Sequence, residues 1–113
     1  MTNKQLKTWY LHYNKQVFDN ELPADTLVVY REPVRGGLAA ELRVETDTGR
    51  HHICVKPLFK KADCFALALL LHESIHLLLK TRGKPKRVYS GHGKLFKAEQ
   101  KRIEELGVIR DLW

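Results

Sequence analysis

FALALLLHESIHLLL (residues 65–79) holds four polar residues, and all four fall between His72 and His76. Apolar residues occupy every helical direction around them, which marks a buried helix rather than a surface one. The run is bounded by Ala62-Asp63 before and Thr81-Arg82-Gly83 after, and its length favours a helix over a strand. Within it, His72-Glu73-Ser74-Ile75-His76 reads HExxH. On a helix, positions i and i+4 project from one face, so both imidazoles can reach one Zn²⁺ at about 2.0–2.1 Å. Glu73 is rotated to the side, where it can activate a water on that metal without being a ligand. Chance alone puts HExxH into about 2% of chains with six His and eight Glu at this length, so the surroundings must decide. They favour a metal. Burying two imidazoles and a carboxylate without partners costs roughly 1–3 kcal/mol per group, and more for the charge. One ion and its water satisfy all three, whereas hydrogen-bonded core histidines need a separate partner each.

Upstream, Leu6, Trp9, Tyr10, Tyr13, Val17 and Phe18 recur at three- and four-residue steps and predict an amphipathic helix over 3–18. Asp19-Asn20 and Pro23 close it. Three β-type segments follow: TLVVYR (26–31), LAAELRVET (38–46) and RHHICVKP (50–57). Pro33 and Gly36-Gly37 make a loop after the first, and Asp47-Thr48-Gly49 suits a hairpin with Gly in a left-handed position. Pro85 interrupts any continuous helix between Gly83 and Gly91. A last helix is expected from Ser90 or Gly91 to Leu106, with Leu95, Phe96, Ile103 and Leu106 as its apolar stripe and Gly107 as its stop. The order helix, three strands, two helices predicts an α+β fold in a single domain over 1–113.

A catalytic zinc usually keeps three protein ligands and one open position. The downstream candidates are His92, Glu99, Glu104 and Glu105. His92 lies between Gly91 and Gly93, small neighbours that let the backbone approach the HExxH helix and the imidazole point inward. The glutamates fall among Lys97, Lys101 and Arg102, on a solvated face. His92 is therefore the expected third ligand. His51 and His52 point to opposite sides of a strand and cannot ligate as an adjacent pair, and His12 is expected on the exposed side of the first helix. Tyr89, three residues before His92, is a candidate donor to the developing oxyanion, against the plainer reading of a packing residue.

Hydrophobic residues at 43% and charged residues at 29% exclude a disordered chain. The net charge of +7 favours polyanions, nucleic acid above all, with simple solubility as the plainer account. Nine basic residues gather between 80 and 102: Lys80, Arg82, Lys84, Lys86, Arg87, Lys94, Lys97, Lys101 and Arg102, with Glu99 the only acid in that span. They are expected to meet DNA phosphates, single- or double-stranded, without reading sequence, unless they form only a solvated face. Cys54 and Cys64 both have apolar sequence neighbours and are expected as buried free thiols, which implies a reduced, intracellular setting, cytoplasmic or nucleoid-associated. MTNKQLKTWYLHYNKQ (1–16) lacks the apolar core of a secretory signal. The longest unbroken apolar run, 65–71, falls short of the roughly 20 residues that cross a bilayer, so no membrane is expected.

HESIH (72–76), SGHGKLF (90–96) and VFDNELP (17–23) together resemble the SprT-like (Spartan-type) zinc metalloproteases. In that family HExxH is followed by a GHGxxF segment carrying the third histidine, and a VFDNELP-like segment joins the first helix to the sheet. HExxH is generic to zincins; the GHGxxF partner is the more diagnostic. The resemblance implies a compact zincin-like metalloprotease domain with an N-terminal helix, a small three-stranded sheet, the HExxH helix and a C-terminal helix. It implies one Zn²⁺ on His72, His76 and His92, Glu73 as general base, and proteins bound or crosslinked to DNA as substrates. Many relatives continue into a cysteine-rich second zinc module or further DNA-binding segments, and the sequence to Trp113 contains neither. Zincin sites commonly bind peptide along a sheet edge, for which 38–46 or 50–56 could serve. The competing reading is a non-catalytic, zinc-stabilised nucleic-acid-binding module. Structural zinc sites take four protein ligands and have no use for a carboxylate beside them. A helix-turn-helix DNA binder explains neither the HExxH nor the buried helix.

Overall fold

Thr2 caps the first helix, α1 (Asn3–Gln16), in the computed structural model, which describes residues 1–108. The Thr2 hydroxyl accepts from the Gln5 N–H at 3.1 Å while the Gln5 side chain accepts from the Thr2 N–H at 2.9 Å. This reciprocal pair satisfies donors that a helix start leaves open. Leu6, Tyr10, Tyr13 and Asn14 form the buried face, and His12 lies exposed on the other side. The helix stops two residues short of the expected Phe18, because the following segment has a geometry of its own. Asp19 and Asn20 take left-handed φ values of 50° and 60°, which Asp and Asn tolerate better than other non-glycine residues. The buried Asn14 amide then grips Leu22 at both its N–H and its C=O, each at 2.9 Å, and the Tyr10 hydroxyl donates to the Pro23 carbonyl at 2.7 Å. VFDNELP is thus a connector fixed by buried hydrogen bonds to α1.

Strands β1 (Leu27–Tyr30), β2 (Ala40–Val44) and β3 (His51–Val55) form one sheet in the order β1-β3-β2. β2 and β3 are the expected antiparallel hairpin, with Leu42 opposite Ile53 and Gly49 at φ 73° in the turn. β3 then slots between its neighbours and runs parallel to β1. The segment 50–56 is therefore central and paired on both sides. Of the two strands considered for peptide binding, β2 alone is an edge.

A 3₁₀ turn (Pro57–Lys61) leads into α2 (Asp63–Thr81), which packs against β2 and β3 and also touches α1 and the C-terminal helices. Leu70, Leu71, Ile75, Leu77 and Leu78 are fully enclosed there with Leu6, Tyr10, Phe18 and Ile53. By length and composition α2 is the one described helix apolar enough to cross a bilayer, and its burial is that of a core helix. Its first turn departs from the expectation of burial all round. Asp63, Cys64 and Phe65 are exposed, so Cys54 is a buried thiol and Cys64 is not. Apolar composition measured hydrophobicity but not where the neighbouring elements end.

Pro85 does not leave a bare loop. It precedes a single-turn helix, α3 (Lys86–Tyr89), where its missing N–H is not needed. The last helix, α4 (Lys94–Glu105), starts at Lys94 rather than at Ser90 or Gly91. Its buried stripe narrows to Phe96 and Ile103, while Leu95 and Leu106 are exposed, because α4 packs chiefly on α2. Arg82, at the end of α2, ties the fold together across the surface. It donates to both carboxylate oxygens of Glu21 at 2.9 Å and to Glu99 at 3.3 Å, and Arg102 donates to Glu99 at 2.8 Å. The described architecture is a compact α+β fold with four helices and a small three-stranded sheet; residues 109–113 of the expected domain lie outside the described residues.

Candidate metal centre

His72 and His76 sit one turn apart on α2, as their spacing requires. Ser74, the remaining polar residue of the motif, is satisfied within the helix by donating to the Leu70 carbonyl at 2.7 Å. His92 does not open α4. It lies in the turn between α3 and α4, and Gly91 makes that turn feasible: a Cβ there would stand 3.0 Å from the Arg87 carbonyl. The close approach is thus to α3 rather than to α2. Gly93 has open space around it, so nothing steric requires glycine there.

The turn brings the third imidazole onto the first two. His72 Nε2 is 3.2 Å from His76 Nε2 and 3.0 Å from His92 Nε2. All three ligand atoms lie within 4.8 Å of one another, so the cluster can hold a metal ion. Its geometry fits one. Nitrogens at about 2.0–2.1 Å from a tetrahedral ion are separated by roughly 3.3 Å. The protons also point that way. The Tyr89 carbonyl sits 2.6 Å from His76 Nδ1 and can only accept, so Nδ1 carries the hydrogen and Nε2 presents its lone pair to the cluster. His72 Nε2 bears at most one hydrogen and cannot donate to both neighbours at once. Protonation to a cation is disfavoured as well. Burial, then His76 and His92, lower the His72 pKa to about 4, and burial lowers that of His76. Neutral imidazoles with converging lone pairs are what a divalent ion takes.

Phe96 forms the apolar floor, its ring centroid 4.8–4.9 Å from all three imidazoles. This packing gives a physical role to the last position of GHGxxF. The other side is open. His92 is exposed, and the cluster lies in the wall of a cleft of about 580 Å³ rather than inside a dry core. Glu73 lines that cleft and is 7% exposed, with its pKa pushed up to about 7 by burial first and by Glu41 second. Glu41, on β2, is a cleft residue that sequence reasoning did not single out. Its place follows from which strand forms the edge, and no local motif signals that.

Tyr89 also lines the cleft. The structure gives its main chain a role that the sequence reading lacked, as the acceptor that orients His76. Tyr89→Phe keeps that carbonyl, so any loss of turnover beyond a few-fold in this variant belongs to the hydroxyl. His51 and His52 are half-buried on β3 outside the cluster, and His52 Nε2 lies 3.0 Å from Glu45. Glu99 is engaged with Arg82 and Arg102 and stands apart from the imidazoles.

The basic residues divide into three groups. Lys84, Lys86, Arg87, Lys94, Lys97 and Lys101 are exposed. Arg82 and Arg102 are paired with acids, one of which, Glu21, comes from the far end of the chain. Lys80 is half-buried, lines the cleft and places its ammonium 5.6 Å from the Tyr89 ring centroid; burial lowers its pKa. Comparison with protein-family models, with curated proteins and with solved structures finds no match to this chain.

Proposed function

We propose that this chain is a zinc-dependent endopeptidase with a zincin-like domain of the SprT-like type, acting on proteins bound or crosslinked to DNA. One observation carries the reading: three imidazoles converge, His76 and His92 bringing Nε2 to 3.2 and 3.0 Å from His72 Nε2, beside a buried carboxyl in an open cleft. Three imidazole donors suit several first-row metals, and zinc is the proposed one because hydrolysis at this motif needs a Lewis acid without redox chemistry. Bound zinc supplies a lowered water pKa, toward about 7, and polarisation of the scissile carbonyl.

The chain's own residues do the rest. His72, His76 and His92 hold the ion, with the Tyr89 carbonyl fixing the tautomer of His76. Glu73 takes a proton from the attacking water and passes it to the leaving amine. The free edge of β2 borders the cleft and offers main-chain groups to an extended peptide, a contact that by itself reads little side-chain identity. The described residues supply three candidate ligands, which supports an open catalytic position over the closed four-ligand site of a binding module.

Metal removal tests the reading. Chelator-treated protein is expected to lose cleavage of an unfolded protein substrate, and stoichiometric zinc to restore it, measured by gel with and without single-stranded DNA. Cleavage that survives complete metal removal overturns the proposal. The nucleic-acid part rests on the exposed lysines of the α3–α4 region. DNA affinity is expected to fall linearly on a log–log scale as salt rises, and Lys97→Ala with Lys101→Ala to shallow that slope by about two. A salt-independent affinity would remove the phosphate contacts.

A further inference from the structure

Three cations line the same cleft as the three imidazoles: Arg35 from the loop between β1 and β2, Lys80 from α2 and Lys86 from α3. Among the described residues none of them has a carboxylate partner. The cleft has two carboxyls of its own. Glu41 accepts from the Val34 N–H at 3.0 Å and stands 3.9 Å from Arg43, and Glu73 belongs to the proposed chemistry. The lining therefore carries an excess of positive charge, and low-dielectric walls focus such a field on whatever enters.

Lys80 is the best placed of the three. It follows His76 by four residues and so continues the ligand face of α2 by one turn. Its ammonium rests near the ring of Tyr89, whose carbonyl holds His76. A cation kept at the cleft wall without a counter-ion is ready to receive an anion that arrives with the substrate.

We propose that Lys80, with Arg35 and Lys86 at the rim, makes this cleft select peptide segments that carry a carboxylate beside the bond presented to the metal centre. The proposal rests on the peptidase reading and adds a substrate class to it. The carboxylate is an Asp or Glu side chain, as cleavage within a chain requires, or a peptide C-terminus, in which case the same site trims chain ends instead. DNA phosphate is the weaker fit for Lys80, because a phosphate backbone is met by exposed side chains such as Lys84, Lys94, Lys97 and Lys101, whereas Lys80 is recessed.

Binding measured without turnover tests this. Three fluorescent octapeptides are titrated into zinc-loaded Glu73→Gln protein and into metal-free wild type: one with a central Glu and an amidated end, its Gln counterpart, and the Gln peptide with a free C-terminus. One carboxylate-bearing peptide is expected to bind about tenfold tighter than the neutral one, and which one does so identifies the source. Adding Lys80→Met is expected to erase the difference, and Lys80→Arg to retain most of it. Equal or no binding of the three peptides overturns the proposal, as does a preference that survives Lys80→Met. A Lys80→Met variant that loses affinity for a single-stranded oligonucleotide while keeping the peptide preference assigns Lys80 to the nucleic-acid face instead. A retained carboxylate preference without any cleavage by wild type sinks only the peptidase reading.

Discussion

Glu73→Gln is expected to bind zinc at wild-type stoichiometry and to cleave protein substrates about 10²–10⁴-fold more slowly, the range that a positioned general base contributes. The substitution is nearly isosteric. Glu73 is 7% exposed, so a change of shape would disturb α2, but an amide fills the same space. It removes the one property that hydrolysis needs, a group that accepts a proton and returns it. Folding should not suffer, because a neutral amide suits a buried position at least as well as a carboxylate does. Two measurements decide: metal content by mass spectrometry, and initial cleavage rates with zinc in excess. Equal metal with lost cleavage supports the catalytic role. A variant that cleaves within tenfold of wild type would falsify it, and the binding-module reading would then gain.

His92→Ala is the second large effect. Removing one of three ligands leaves a helix pair, and zinc affinity is expected to fall by on the order of a thousandfold, a share of the total binding energy of a zinc site. His92 is exposed, so its truncation leaves little cavity, and the metal-free variant should unfold close to metal-free wild type. The difference appears only with metal. Zinc is expected to raise the melting temperature of wild type, since it binds the folded state, and to raise that of His92→Ala much less at the same concentration. His76→Ala is a poorer probe, because His76 is buried and its loss mixes packing with ligation. Should His92→Ala keep wild-type zinc affinity, the 3.0 Å approach of His92 to His72 has no role in metal binding and the three-ligand site is wrong.

Much of this was legible because it was local. The buried face of α1, the Gly49 hairpin and the span of α2 follow from periodicity and turn chemistry within one element, and α2 ends within two residues of its expected bounds. Errors gathered at boundaries and at exposure. Ser90 and Gly91 resemble helix openers, but the chain first completes α3 there and α4 starts only at Lys94. Leu95 and Leu106 belong to the apolar stripe of α4 and Cys64 has apolar sequence neighbours, yet all three are exposed, because burial also needs a neighbour to pack against.

Residue chemistry and helical spacing determined by themselves that His72 and His76 share a face, that Glu73 stands beside them, and that an α+β chain surrounds them. Only the tertiary structure decided that His92 meets them, that β2 and not β3 is the edge of the cleft, and that the Tyr89 carbonyl orients His76. It also decided that Glu21 neutralises Arg82 across 61 positions. The physical reason is one of range. Backbone periodicity orders side chains along a single element, whereas partners tens of residues apart meet only through the packing of several elements, and one sequence segment carries no record of that packing.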